Sequence, residues 1–126
     1  MLTLLIVDGA NVVGSVPDGW WRDRRGAAER LRDALASAAA EGRGVPGHPG
    51  PVERLLVVEG AARGVEPVPG VRVASAPGSG DDLIVELAAA AAAEGRPCLV
   101  ATADRELLRR VAAHGAGRVG PRGVRY

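Results

Sequence analysis

The sequence predicts an α/β fold with three layers, in which a mostly parallel sheet lies between two layers of helices. Short apolar runs of strand length recur along the chain, and segments rich in Leu and Ala with helical spacing separate them. Continuous apolar runs are typical of parallel strands that are buried on both faces. The length of 126 residues favours one domain, spanning residues 1–126.

Five strands and three helices follow from this pattern. The predicted strands cover residues 2–7, 54–58, 71–74 and 98–101, with a fifth near 117–120. The predicted helices cover residues 26–40, 82–94 and 105–113, which gives right-handed βαβ crossovers. Two connectors rich in Gly and Pro, residues 42–51 and 65–69, are expected to be surface loops.

Composition excludes several classes of protein. The net charge is +1, so affinity for a polyanion would have to come from local arginine clusters or bound cations. Cys98 is the only cysteine and the only histidines are His48 and His114, so the chain can build neither a disulfide framework nor a Cys/His zinc site. Cys98 is expected to pack in the core.

The opening residues indicate a buried strand rather than a signal peptide, and no apolar segment is long enough for a membrane. A cytoplasmic location is therefore expected.

Acidic residues stand directly after the predicted strands. In an open α/β sheet, ligands bind outside the carboxyl ends of the strands, so acids placed there can converge on one crevice. Crowded carboxylates take up protons or bind cations, and ligation by oxygen alone suits Mg²⁺ or Mn²⁺. The sequence therefore predicts a site for Mg²⁺ or Mn²⁺ among Asp8, Glu59, Asp81, Asp82, Asp104 and Glu106.

The alternative interpretation is that these acids cap helices, because Asp is a favoured N-cap residue. Ser79 could begin a capping box, and Thr102 or Asp104 could cap the last helix. Two observations favour the metal site. No amphipathic helix is expected between Asp8 and residue 26, and the pair Asp81 and Asp82 exceeds what one cap needs.

Two further features keep two interpretations each. Trp20 and Trp21 lie among three arginines in residues 18–25, and they either stack on bases or cover the core of a chain without Phe. Glu86 lies four residues after Asp82 and shares its helical face. A solvent-facing Glu86 is favoured over one that reaches the crevice.

Four segments together resemble a known family. Leu-Ile-Val-Asp-Gly-Ala-Asn-Val-Val, from residue 5, resembles the opening motif of NYN-domain proteins in the PIN-like nuclease superfamily. Leu-Val-Val-Glu-Gly, from residue 56, is similar to a second-strand motif that ends in an acid. Gly-Asp-Asp-Leu-Ile-Val-Glu-Leu-Ala, from residue 80, resembles the paired-aspartate helix of 5′ nucleases, and Ala-Thr-Ala-Asp-Arg-Glu-Leu, from residue 101, resembles their later acidic motif. The segments span nearly the whole chain in the expected order.

The resemblance implies the strand order 3-2-1-4-5 and a set of roles. It makes Asp8, Asp81 or Asp82, and Asp104 metal ligands, with Glu59 and Glu106 contributing directly or through water. Asn11 would orient Asp8 or a water molecule. A divalent cation held there would lower the pKa of a water molecule and neutralise charge on the scissile phosphate. The expected catalytic residues are accordingly Asp8, Asn11, Asp82 and Asp104.

The expected function is that of a metal-dependent nuclease that hydrolyses single-stranded RNA. The chain lacks the length for the arch and duplex-binding module of flap nucleases, which favours the single-domain ribonuclease branch. It departs from the 5′ nuclease pattern at Ser79, where a Glu often stands, and it has Glu59 and Glu106 where Asp is usual. These departures keep open a PIN-like module that binds RNA or protein and cleaves weakly or not at all. A nucleotide pyrophosphohydrolase is a further alternative, and formation of a homodimer is also left open.

Overall fold

A computed structural model describes residues 1–125 and contains a parallel sheet of five strands. The strands are β1 (Thr3–Asp8), β2 (Val52–Val58), β3 (Val71–Ser75), β4 (Cys98–Ala101) and β5 (Gly117–Val119). Their order β3-β2-β1-β4-β5 confirms the predicted fold class, and every neighbouring pair is parallel. The central strand, β1, pairs with β2 on one side and with β4 on the other.

Four helices cover the two faces of the sheet: α1 (Gly9–Gly14), α2 (Arg24–Ala40), α3 (Gly80–Ala93) and α4 (Arg105–Ala112). Side chains alternate between the faces of a strand, so Leu5 and Val7 of β1 point to one side and Leu4 and Ile6 to the other. The first pair packs with α1 and α2 in one apolar cluster. The second pair packs with α3 and α4 in another, which gives the three predicted layers.

The short helix α1 corrects the expectation that no helix begins before residue 26. Two glycines and two β-branched valines give it low helix propensity, which hid it in the sequence. Asp8 caps it, and Val12 and Val13 are buried. Gly9 is required by close packing, because a Cβ there would lie 2.5 Å from the carbonyl oxygen of Val57. The segment is therefore a capped turn of helix pressed against the end of β2.

The two Gly/Pro-rich connectors lie at the surface apart from one buried valine each and Val68, which is partly buried against the core. Val45 and Val65 are buried and join the core on the α2 side of the sheet. The connection from β2 to β3 contains only the 3₁₀ turn Gly60–Ala62, rather than a longer helix. Burial of one valine fixes each connector against the domain.

Cys98 is buried in β4, as the sequence predicted. Burial raises the pKa of its thiol to about 11, which keeps the sulfur protonated and unreactive near neutral pH. Within residues 1–125, no helix is both long enough and apolar enough to cross a membrane.

Candidate functional site

Asp8 ends the central strand and is the most enclosed acid of the site. Its side chain is almost fully buried. The Thr102 hydroxyl donates to Asp8 Oδ2 at 2.9 Å, and the Asn11 backbone N–H donates to Oδ1 at 3.4 Å. Burial raises the pKa of Asp8 to about 6; these two hydrogen bonds oppose the shift, and the charges of Asp81 and Glu59 add to it. Asp8 is thus a helix cap and also a carboxylate in a crowded acidic environment.

Polar contacts join the ends of β1 and β4 around Asp8. The Thr102 hydroxyl, which donates to Asp8, also accepts the backbone N–H of Asp104 at 3.1 Å. The side-chain oxygen of Asn11 accepts the N–H of Ala103 at 2.8 Å. Asn11 therefore acts on Asp8 through its backbone, while its amide side chain holds the loop that leads into α4.

Asp81 lies in the first turn of α3 and is half-buried. Burial raises its pKa, the charges of Asp104 and Glu59 raise it further, and Arg110 opposes the shift. Asp104 caps α4, since its Oδ1 accepts the N–H of Leu107 at 3.1 Å. The charges of Asp81 and Glu59 thus act on Asp8, and those of Asp104 and Glu59 act on Asp81, so these four carboxylates interact electrostatically at the carboxyl ends of the strands.

Glu59 directly follows β2 and joins it to the start of α3. Its Oε2 accepts the N–H of Gly80 at 2.8 Å. Gly80 has no side chain, and a Cβ there would lie 3.2 Å from the Glu59 carboxyl carbon. The glycine lets the acid approach closely, so Glu59 has a structural partner as well as a place among the acids.

Asp82 and Glu106 point elsewhere. Asp82 pairs with Arg110 at 2.9 Å and its side chain is 68% exposed. Glu106 pairs with Arg109 on its own helix, and Glu86 is exposed. Of the two aspartates that the resemblance left open, Asp81 is the one whose charge acts on Asp8. The structure thus gathers Asp8, Glu59, Asp81 and Asp104, and it directs Asp82 and Glu106 to arginines.

These four acids, which we call the carboxylate cluster, fit a divalent cation by the chemistry of their donors. All the donors are oxygen atoms, which suits Mg²⁺ and Mn²⁺. No arginine among residues 1–125 lies within 4.0 Å of any of the four in an ion pair. Across the same residues, no group of three His, Cys, Asp or Glu side chains is already arranged to hold a metal ion. The donors are suitable, and some of these side chains would have to rotate to enclose a cation.

A pocket of about 500 Å³ opens beside the carboxylate cluster. Glu59, Gly9, Trp20 and Arg24 are among the residues that line it. Trp20 also packs against the buried residues on the α2 side of the sheet. Trp21 is 50% exposed and does not line this pocket. The two tryptophans therefore differ: Trp20 partly covers the core and faces a cavity, while Trp21 faces solvent.

Sequence reasoning considered Thr102 only as a helix cap and missed its contact with Asp8. A polar residue directly after a buried strand, three positions before a predicted helix, is the signal that could have identified it. The contact between Arg110 and Asp82 could not be predicted from the sequence, because it joins residues 28 apart.

Solved structures with a similar fold include Rae1 (YacP) from Bacillus subtilis. The TM-score is 0.75 at 22% identity, over 96% of this chain and 70% of that chain. A tryptophan-to-leucine mutant of the same protein gives a TM-score of 0.69 at 23% identity, over 98% of this chain and 72% of the other. No protein-family model and no curated protein matches the chain. At this level of identity the likeness shows a shared fold alone, and it defines the class of protein as an α/β domain with a parallel sheet in the order 3-2-1-4-5.

Proposed function

We propose that this protein is a divalent-metal-dependent hydrolase that cleaves phosphodiester bonds in single-stranded RNA. One observation carries this proposal: the segments that follow four neighbouring strands each bring a carboxylate to the carboxyl ends of the sheet, and among residues 1–125 none of the four forms an ion pair with an arginine within 4.0 Å. Acids that only face solvent or cap helices would be destabilised by lying close together, because like charges repel. A bound cation would remove that cost.

The proposed ligands are Asp8, Asp81 and Asp104, with Glu59 in direct or water-mediated contact. A bound Mg²⁺ or Mn²⁺ would supply charge neutralisation at the scissile phosphate and a water molecule of lowered pKa. Asp8 contributes a fixed position, because Thr102 and the start of α1 hold its two oxygens. Asp104 is also positioned, since Oδ1 is engaged by Leu107 and Oδ2 remains available to a ligand.

RNA is the proposed substrate because of the resemblance to NYN-domain proteins and because the carboxylate cluster is partly open to solvent. The acids lie at the carboxyl ends of the strands, where Glu59, Asp81 and Asp104 are partly exposed. Arg24 and Trp20 line a pocket together with Glu59, and they offer a cation and an aromatic ring to a nucleotide. The protein's net charge of +1 gives no general attraction to nucleic acid, so these local groups would have to supply it.

A binding module with this fold and no cleavage is the second candidate. The observation that favours it is the lack of three acids already arranged around one point within the described chain. Such a protein would hold RNA or another partner at the same edge. It would not require a cation for a chemical step.

Cleavage of end-labelled single-stranded RNA by the purified full chain tests the proposal. We expect cleavage with Mg²⁺ or Mn²⁺, loss of cleavage with a chelator, and recovery when excess cation is added. Duplex RNA of the same sequence serves as the matched substrate, and a dinucleoside pyrophosphate tests the nucleotide-hydrolase alternative. Binding of RNA without cation-dependent cleavage would overturn the enzyme proposal in favour of the binding module.

A further inference from the structure

The pocket beside the carboxylate cluster has the features of a nucleotide site. Its volume of about 500 Å³ lies within the ~300–1,000 Å³ typical of small-molecule sites. Val13, Ala28, Val58 and Ala62 give it an apolar wall, and the Trp20 ring adds an aromatic surface. Arg24 and Glu59 bring the only charged side chains of the lining. An apolar wall with a few polar groups suits a flat heterocycle that carries a phosphate.

The walls of the pocket are tied together by two arginines that bond to backbone carbonyls. Arg25, at the start of α2, donates to the carbonyls of Arg63 at 2.9 Å and Gly64 at 3.0 Å. Arg63 donates to the carbonyls of Gly60 at 3.2 Å and Pro77 at 3.4 Å. These bonds connect α2, the turn after β2 and the loop before α3. The pocket is therefore held in shape before any ligand binds.

Arg24 differs from these two arginines. Its guanidinium carbon lies 5.2 Å from the centre of the Trp20 ring, in a cation–π contact. Within residues 1–125 the guanidinium group of Arg24 forms no hydrogen bond or ion pair. Its N–H donors are therefore available to a phosphate, for which a guanidinium is well suited.

The pocket and the carboxylate cluster share a wall. Glu59 belongs to both, Gly9 and Ala10 follow Asp8 directly, and Ser79 lies two residues before Asp81. A nucleotide in the pocket would thus place its phosphate near the acids while its base lies against Trp20.

We infer that this pocket binds the base of the RNA nucleotide next to the scissile phosphate, with Trp20 as the aromatic wall and Arg24 as a phosphate contact. The position of this base next to a cleaved bond rests on the proposed function. Binding of a nucleotide by the pocket does not, and it can be measured independently. Aromatic contact tolerates every base, so the site sets the position of the strand rather than its sequence.

The chain has two tryptophans, so Trp21→Phe leaves Trp20 as the sole tryptophan and makes its fluorescence a direct probe. The probes are the four nucleoside 5′-monophosphates with Mg²⁺, which contain no phosphodiester bond to cleave. Ribose 5-phosphate is the control without a base. We expect saturable quenching by every monophosphate and binding of ribose 5-phosphate that is about 5- to 100-fold weaker. Equal affinity for ribose 5-phosphate, or unchanged fluorescence with all four nucleotides, would overturn the inference.

Two matched pairs of variants complete the test on RNA cleavage. Arg24→Ala should raise KM by about 10-fold. Arg22 lies over the exposed Trp21, so Arg22→Ala should leave KM unchanged. Trp20→Leu should raise KM, Trp20→Phe should restore it, and thermal unfolding shows whether each variant is folded. Nucleotide binding without RNA cleavage would contradict the proposed function and support the pocket as a nucleotide site. Chelator-sensitive cleavage that Trp20→Leu and Arg24→Ala do not alter would contradict the nucleotide site and support the proposed function.

Discussion

The Thr102 hydroxyl lies between two acids of the site, donating to Asp8 Oδ2 at 2.9 Å and accepting the backbone N–H of Asp104 at 3.1 Å. Thr102→Val keeps the shape of the side chain and removes both bonds. We expect the free energy of unfolding to fall by about 1–3 kcal/mol, because buried polar groups lose their partners. The pKa of Asp8 should rise further, since the lost bond favours the ionised form. Chemical denaturation measures the first effect, and Thr102→Ser, which retains the hydroxyl, is the control that should remain close to wild type.

The stability of the metal-free protein should fall as pH rises through the titration of Asp8. Its pKa is raised from 3.8 to about 6 in the folded state, so the folded protein holds a proton that the unfolded chain has released between these values. Ionisation of Asp8 lowers the free energy of unfolding by about 3 kcal/mol above pH 6, and it has no such effect below pH 4. Asp8→Asn should therefore be more stable than wild type at pH 8 and nearly equal to it at pH 4. Denaturation in chelator at the two pH values measures the difference, and an unchanged difference would show that Asp8 does not titrate as described.

Asp81 and Asp82 should differ in their effect on cleavage. Asp81 lies among the acids, whereas Asp82 is exposed and paired with Arg110. We expect Asp81→Asn to lower kcat/KM by more than about 100-fold. That exceeds the loss of activity usual when a residue that only orients a metal ligand is replaced. Asp82→Asn should remain within a few-fold of wild type. The reverse order would transfer the ligand role to Asp82.

Two substitutions of Glu59 should separate its structural role from its charge. Glu59→Gln keeps an oxygen that can accept the Gly80 N–H, so the protein should stay folded while its affinity for Mn²⁺ falls about 10-fold or more. Glu59→Ala removes the acceptor as well, and it should also lower the free energy of unfolding by about 1–2 kcal/mol. Calorimetric titration with Mn²⁺ and denaturation of both variants provide the two readouts. Equal Mn²⁺ affinity in wild type and Glu59→Gln would remove Glu59 from the ligand set.

The sheet and its major helices were predictable because each carries a strong local signal. The apolar runs at β1 and β4 are uninterrupted, and α4 shows clear amphipathic spacing. The helix α1 was missed because its stability comes from the cap at Asp8 and from burial of Val12 and Val13, which are properties of the folded chain. The burial of Val45 and Val65 in the connectors was missed for the same reason.

Sequence reasoning located the edge of the sheet where the acids gather, since strand ends are visible in the apolar pattern. It could not decide which aspartate of a consecutive pair faces the crevice. Adjacent positions on a helix differ in direction by about 100°, and the phase of α3 is set by its packing. The partner of Asp82, Arg110 on α4, depends on a tertiary contact, whereas Glu106 pairs with Arg109 three residues later on the same helix, a local spacing that the sequence does show.

Cleavage of RNA by Asp8→Asn shows whether the carboxylate cluster holds a cation that hydrolysis requires. Wild type and variant are compared on single-stranded RNA with Mg²⁺, Mn²⁺ and chelator, after thermal unfolding has shown both to be folded. Asn preserves the size of the side chain and an oxygen to cap α1, but it removes the charge that binds a cation. We expect chelator-sensitive cleavage by wild type and none by the folded variant. Equal cleavage by both proteins, or no chelator-sensitive cleavage by wild type, would show that Asp8 holds no cation required for hydrolysis.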